Sequence, residues 1–434
     1  MTQYSDICII GAGLGGLACA TQLIKAAFGK HLRIRIFDLN ARVGGRIQSR
    51  MVGDEVAELG AARYSPQLHP HFDELMQDSG LEHATYPFTE VAAGGREQEK
   101  LKATLHSLSA MLKEHPTESF LEFVSHYLGE AEAIRMIKAT GYDALLLPIV
   151  SGAMAYDIIK KHPETQSFTE NAGNEWRYAI DGYGELLAQL QRQAQAAGVE
   201  FQMEHRLLSV ERAGADHVLV FSHQGDTKVH RTRHLIMAVP PSAMPQLNLD
   251  FPAAWSSFEY DSLPLFKGFL TFDHAWWQAL GLTDKVVMTN NPLRKIYFKG
   301  DQYLLFYNDS DSASYWRECL EQGEDAYLEQ VRRHLEDALP LDGQPMPPIK
   351  GHFHKHWPHG VEFYTDPQSA HPAVLLHQDG IISCSDAYTQ HCGWMEGSLI
   401  SARYATRLLL ERLRQQAETA GDADALAMTS AEGA

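Results

Sequence analysis

The stretch Gly11-Ala12-Gly13-Leu14-Gly15-Gly16 stands directly behind the apolar run Ile7-Cys8-Ile9-Ile10, and this junction constrains the fold more than any other part of the chain. Three of its glycines meet separate needs of a βα turn that holds a dinucleotide. Gly11 allows a tight reversal, Gly13 lets backbone approach a pyrophosphate, and Gly16 lets the next helix lie close on its strand. Gly15 belongs to the same turn. The helix expected from Leu17 to Ala27 directs its N–H groups and positive dipole end at the phosphates. An ordinary glycine-rich turn can share this spacing, so context decides. A second strand, Leu32-Arg33-Ile34-Arg35-Ile36-Phe37, ends on Asp38. That is about twenty residues past the last glycine, where an acid binds ribose hydroxyls and favours FAD or NAD over a 2′-phosphorylated cofactor.

With 434 residues and 44% hydrophobic content, the chain can bury a core spread over two or three subdomains. Its formal net charge of -18 argues against nucleic-acid binding, which needs a basic face. No apolar run reaches the roughly eighteen residues of a membrane span and no cationic leader precedes the first strand, so no membrane association and a cytoplasmic location are expected. Cys8, Cys19, Cys319, Cys384 and Cys392 lack metal-ligand spacing and are odd in number. They read as reduced packing residues, and no metal site is expected.

Immediately after Asp38, Arg42-Val43-Gly44-Gly45-Arg46 supplies a second glycine pair and an arginine. This suits a loop over the pyrophosphate, with Arg46 as a forked cation. Near the other end stand Gly380-Ile381-Ile382-Ser383-Cys384-Ser385-Asp386 and Gly393-Trp394-Met395-Glu396-Gly397. In these motifs the chain resembles the FAD-dependent amine oxidase and L-amino acid oxidase family, in which a Gly-Gly-Arg motif follows the glycine turn and a late strand and closing motif return to the flavin. The resemblance implies an α/β fold, with an FAD-binding Rossmann-like domain of the Gly-Gly-Arg type interleaved with a mixed-sheet substrate domain and a helical subdomain. It implies FAD held by Gly11, Gly13, Gly15, Gly16, Asp38, Arg46, Gly60, Ala61, Arg63, Leu207, Asp386 and Met395. Noncovalent attachment is expected, because no cysteine sits where monoamine oxidases attach their flavin.

Residues 1–65, 199–245 and 375–414 are assigned to the FAD domain, 246–374 to the substrate domain and 66–198 to the helical subdomain. A strand pair is expected near Phe201-Gln202-Met203 and Val218-Leu219-Val220-Phe221. A buried strand over His234-Leu235-Ile236-Met237-Ala238-Val239 is stopped by Pro240 and Pro241. Residues 415–434 are almost free of large apolar side chains and read as a flexible or partly helical tail.

The family likeness also locates the chemistry. L-amino acid oxidases carry an arginine beside the flavin just after a Leu-Gly stretch, and Glu58-Leu59-Gly60-Ala61-Ala62-Arg63 puts Arg63 there. Its guanidinium can hold a substrate carboxylate by two parallel N–H···O bonds, which points to an amino acid rather than a simple amine. An arginine that only contacts cofactor is the alternative. Lys267, in Leu265-Phe266-Lys267-Gly268-Phe269, falls on the strand that presents a lysine to flavin N5. An ammonium is unfavourable in so apolar a strand unless it meets a polar pocket or water. Tyr307 is a candidate second donor to the carboxylate.

A closer similarity, over about residues 4–414, is to the bacterial L-tryptophan oxidases of violacein biosynthesis. It is carried by Arg63 to Phe72, Gly141 to Leu145, Lys161 to Glu164, Asn291 to Gly300 and Ser385 to Trp394. It implies oxidation of L-tryptophan to the imine of indole-3-pyruvate, with O2 reduced to hydrogen peroxide. It also implies a homodimer and a downstream pathway enzyme that takes the imine. Arg63, Lys267 and Tyr307 then fall on substrate and catalytic positions, and Tyr142, His162 and Trp394 near the indole pocket, Tyr142 and Trp394 as its walls. A broader aromatic L-amino acid oxidase, or a flavin amino-acid monooxygenase or dehydrogenase, stays open.

Overall fold

The computed structural model describes residues 3–26, 32–89, 91–92, 118–166, 169, 171–249, 260–339, 341, 345–364, 377–378 and 381–420. Its spine is the strand Gln3–Ile10, parallel to Ile34–Phe37 on one side and to Asp226–Met237 on the other. Glu200–Gln202 continues the first direction and Ile381–Ser383 the second, both parallel. Alternation along the spine decides what covers each face. Ile7 and Ile9 are buried in a core with Leu17, Leu186 and Leu399, which come from the helices Leu14–Lys25, Tyr183–Ala196 and Met395–Ala420. Cys8 and Ile10 point the other way, into a cluster with Leu207, Val210, Leu219 and Phe221.

Phe201-Gln202-Met203 and Val218-Leu219-Val220-Phe221 do not pair with one another as expected. The first segment edges Ile34–Phe37, whereas the second pairs with Arg206–Ala213 and Asp226–Met237. The reason is local: Gln224 and Gly225, both at positive φ, close a two-residue hairpin between His223 and Asp226, the geometry that suits strand twist. Among the described residues this first sheet has nine strands of mixed direction and reaches Asn248–Leu249, past the boundary expected at 246.

The second sheet has five antiparallel strands, in the order Val286–Met288, Lys295–Lys299, Tyr303–Asp309, Tyr260–Thr271, Gly351–Tyr364. Phe266, Leu270, Ile296, Phe298, Leu304 and Phe306 bury one face in a core with Trp316, Tyr327 and Val331 of the helices Ser310–Glu321 and Glu324–Ala338. The intervening residues Lys267, Lys295, Tyr297 and Tyr307 therefore project from the opposite face. Facing them is the helical part, Phe120–Leu128, Glu130–Lys138 and Gly152–Lys160, whose core includes Tyr142 and touches Tyr307.

The helix Met395–Ala420 runs six residues into the stretch read as a tail. Leu409, Leu413 and Ala417 continue one buried face at helical spacing, which a count of large side chains missed. Residues 421–434 lie outside the described residues. Among the described residues no helix is long and apolar enough to cross a membrane.

Candidate active site

The glycine turn leaves a cradle. A Cβ on Gly11 would lie 2.2 Å from the Ala238 carbonyl oxygen, and one on Gly16 would lie 1.9 Å from the Gly11 oxygen. Gly13 differs, because a Cβ there would meet nothing within 4 Å. It is also the N-cap of Leu14–Lys25, with no side-chain capping bond, so the helix N–H groups open on space fit for a pyrophosphate. Gly44 N donates to Ala12 O at 2.8 Å and sets the second glycine loop against the first.

The remaining residues assigned to FAD have partners of their own. The buried carboxylate of Asp38 accepts from Ala12 N at 2.7 Å and from Asn40 N at 2.7 Å, tying the end of its strand to the turn. Arg46 forms an ion pair with Asp386 and donates to Gly360 O at 3.2 Å. Burial works against the Arg46 charge, but Asp386 and Glu362 hold its pKa above the usual arginine value. Asp386 also accepts from Gly393 N at 2.9 Å. Gly60 lies against the Arg46 carbonyl, where a Cβ would come within 1.7 Å, and Ala61 N donates to that same oxygen at 3.4 Å. Leu207 stands opposite Phe221, whose ring stacks on Phe37 at 4.3 Å. Met395 begins the last helix, and the next residue, Glu396, caps another: its carboxylate accepts from His71 N and Phe72 N at the start of Pro70–Ser79. Gly15 lies against Cys384, with a Cβ position 3.0 Å from its Sγ.

Arg63, Tyr142, His162, Trp394 and Tyr307 are brought together. Arg63 Nη1 donates to Tyr86 Oη at 3.2 Å, and Nη2 to Tyr142 Oη at 3.4 Å. The Tyr142 ring lies 4.4 Å from His162 and 6.3 Å from Tyr307, and His162 lies 5.2 Å from Trp394. Trp394 also approaches His69 at 4.6 Å and Trp176 at 5.6 Å. The result is an aromatic wall beside a guanidinium. Burial, then Arg63 and Lys295, push His162 down to about 3, so it is a neutral ring.

Lys267 joins this group through strand register. It stands directly opposite Tyr307, which stands directly opposite Lys295 on the next strand. The Lys267 ammonium donates to two backbone oxygens, Glu58 O at 2.9 Å and Gly60 O at 2.6 Å, and thereby holds the segment that leads into Arg63. Burial lowers its pKa to about 7, against the pull of Glu58.

Sequence reasoning missed Glu164, Lys295, Asp309 and Tyr297, as well as the aromatic neighbours Tyr86, His69 and Trp176. Glu164 is fully buried; its carboxylate lies 3.3 Å from Arg63 Nη2 and accepts from the hydroxyls of Tyr142 and Tyr297. Burial alone would raise Glu164, yet Arg63 and Lys295 hold it at about 2. Lys295 lies over the rings of Tyr142 and Tyr307, and Asp309 Oδ1 accepts from Ala144 N at 2.7 Å. Lys295 Nζ and Asp309 Oδ2 are both buried and have no hydrogen-bond partner among the described residues. The signal for Lys295 was present in Lys295-Ile296-Tyr297-Phe298, an ammonium in an apolar strand like Lys267. Glu164 carries no such local signal.

A profile of the family described as flavin containing amine oxidoreductase matches residues 14–410. Protein anon-37Cs of Drosophila lebanonensis is 41% identical over 59 residues, which is 14% of this chain and only 10% of that protein. A putrescine oxidase solved with putrescine bound superposes with a TM-score of 0.73 at 16% identity, over 95% of this chain and 100% of that one. Cyclohexylamine oxidase from Brevibacterium oxydans IH-35A gives 0.71 at 15% identity, over 94% and 99%. The two solved structures share the two-sheet α/β architecture described above. The chain belongs to the flavin-containing amine oxidoreductase family, and FAD is its cofactor.

Proposed function

We propose that the protein oxidises an aromatic L-amino acid, L-tryptophan foremost, to its imine, and that O2 is reduced to hydrogen peroxide. The carrying observation is the charge of the buried cluster. Arg63 is paired with the fully buried Glu164; beside them burial lowers Lys295 to about 7, against the pull of Glu164, and burial with Asp143 raises Asp309 to about 7, so Arg63 is the firm cation and Lys295 adds its charge below that pH. A second ammonium, as in a diamine, would meet Arg63 and, below about pH 7, Lys295 as like charges, whereas a carboxylate would find N–H donors on both. Beside Arg63 and Lys295 stand Tyr142, His162, Trp394 and Trp176, whose neighbouring rings are tilted 39–54° to one another and make an aromatic lining suited to an indole. Asp309 Oδ2, which has no hydrogen-bond partner among the described residues, is an acceptor in the same cluster suited to the indole N–H.

When bound, FAD supplies the acceptor for the hydride equivalent leaving Cα and then passes electrons to oxygen. Gly13, the Leu14–Lys25 N-terminus and the Gly44-Gly45 loop would hold its pyrophosphate, with Asp38 at the ribose and Arg46, Asp386 and Met395 nearby. Arg63 and Tyr307 hold and orient the substrate carboxylate. The apolar wall excludes water from the reacting end. Lys267 keeps the Glu58 to Gly60 backbone in place and retains a further N–H to direct at water on the flavin side. The reading extends to a cytoplasmic homodimer at the head of a violacein-type bisindole pathway, handing its imine to a following enzyme.

Peroxide yield in air with each amino acid, together with mass analysis of the product, tests this. An oxo or imino acid that retains the substrate carboxyl carbon, with one peroxide per turnover, is expected. A decarboxylated amide would make the protein a monooxygenase, and reduction of a dye without peroxide would make it a dehydrogenase.

A further inference from the structure

Lys295 is a buried cation to which the mechanism gives no specific task. The residue has no exposed surface, its Nζ has no hydrogen-bond partner among the described residues, and burial lowers its pKa to about 7 against the pull of Glu164, so it carries its charge below that pH. Its stem crosses Gly141, where a Cβ would come within 2.4 Å of the lysine Cγ, and Gly141 is at φ 78°. A glycine is therefore required there twice over, by backbone and by space. The stem sets the ammonium 3.2 Å from the centroid of the Tyr142 ring and 4.3 Å from that of Tyr307.

This geometry does two things. A desolvated ammonium is held by the negative faces of both rings, so it fixes the planes of two aromatic groups that come from different elements. Tyr142 precedes the short turn Asp143–Leu146, and Tyr307 lies on the strand Tyr303–Asp309. The cation also draws electron density from each ring, which makes the attached hydroxyl a stronger donor toward an anion. The Tyr142 hydroxyl already donates to Glu164 at 3.2 Å, so the polarisation reaches the Arg63–Glu164 pair. Sequence register carries the effect further, since Tyr307 separates Lys295 from Lys267 in one cross-strand row.

We propose that Lys295 is a positioning residue that sets the carboxylate requirement of the site, by clamping the rings of Tyr142 and Tyr307 and adding a second buried positive charge beside Arg63. The inference rests on the amino-acid oxidase reading and names the residue that enforces its carboxylate. Lys295 acts through the two tyrosines and the local field rather than by transferring a proton or electron.

The test uses the FAD-loaded protein and two ligands without an α-amine, indole-3-propionate and indole-3-propionamide. Binding is read from the perturbation of the flavin absorbance band, so turnover plays no part. In the parent protein the acid should bind more tightly than the amide. Lys295→Met should weaken the acid at least about tenfold and change the amide by less than about threefold, as expected for loss of one buried charge interaction. Lys295→Arg should restore the preference. Lys295→Gln keeps a polar head on a similar stem and carries the same comparison if the methionine variant loses flavin. An unchanged acid-to-amide ratio in the charge-free variants overturns the proposal and leaves the amino-acid reading standing. A parent protein that binds the two ligands equally overturns both.

Discussion

Nη2 of Arg63 lies 3.3 Å from the carboxylate of the fully buried Glu164, so the cation expected to receive a substrate carboxylate already has an acidic partner in the protein. Two consequences follow from the low dielectric around the pair. Arg63 is kept charged, well above the ordinary arginine value despite its burial. Glu164 is kept ionised, and the site charge then depends on what else is present.

Removing one partner of such a pair leaves the other charge buried alone. Glu164→Gln should therefore destabilise the fold by roughly 3–5 kcal/mol. Urea unfolding of the flavin-loaded protein measures it, and a change below about 1 kcal/mol would show that the pair is solvated and that the buried cluster is misplaced. Arg63→Leu should lower kcat/KM for the substrate by about two to three decades while flavin content stays near normal. Loss of flavin in parallel would make Arg63 a cofactor residue.

Lys267 has two separable tasks. Lys267→Met removes the donor to Glu58 O and Gly60 O, which should cost about 1–3 kcal/mol of stability. If its ammonium also serves the oxygen reaction, air reoxidation of the reduced flavin should slow by at least about tenfold. Anaerobic reduction followed by mixing with aerated buffer isolates that step. Reoxidation at the parent rate in a destabilised variant would make Lys267 a strut only.

Gly13 and Gly11 should respond differently to substitution. Gly13→Val enters open space, so the fold should survive while FAD affinity falls, because the side chain fills the place of the pyrophosphate. Gly11→Ala faces a carbonyl at 2.2 Å at φ 107° and should unfold the turn with or without cofactor. Flavin content after gel filtration, beside circular dichroism, separates the two. Acid precipitation of the parent protein should release FAD into the supernatant, and flavin that stays with the pellet would contradict noncovalent binding.

The glycine cradle was legible from sequence because its causes are local. Turn, strand end and helix start lie within one stretch, and each glycine answers to a backbone clash or an opening there. The aromatic wall was legible only through resemblance, since nothing in the spacing of Tyr142, His162 and Trp394 brings them together. Glu164 was illegible for a physical reason. Its role comes from Arg63, Tyr142 and Tyr297, which reach it from three distant segments. Lys295 could have been found by the argument applied to Lys267, an ammonium inside an apolar strand. The stretch from 415 was read as flexible or partly helical, and its helical start is carried by small residues such as Ala417, which extend a buried helix face without large side chains.

Acid should destabilise the protein through its buried imidazoles, partly offset by Asp309 and Glu58, whose burial-raised pKa values of about 7 make the folded chain take up protons in the same range. Burial, with Arg63 next, holds His162 at about 3, and burial with Lys161 holds His391 at about 4, both down from 6.5. At these histidines the unfolded chain thus binds more protons through this window, so this stability is full above about pH 6.5 and is lost as pH falls toward 3. Glu164 adds to the loss between 4.5 and about 2. The urea midpoint should fall between pH 7.5 and pH 5.0, and His162→Gln should flatten part of that fall. A midpoint that does not move contradicts the neutral buried histidines.

The central claim is that the site demands a carboxylate beside an indole, and tryptamine isolates that demand because it keeps the ring and amine of L-tryptophan but lacks the acid. Anaerobic stopped-flow reduction of the bound flavin compares the two directly. L-Tryptophan should bleach the flavin, and tryptamine, without the charge that Arg63 and Lys295 receive, should do so at least about a hundredfold less efficiently. Reduction by tryptamine or putrescine as fast as by L-tryptophan would contradict the account.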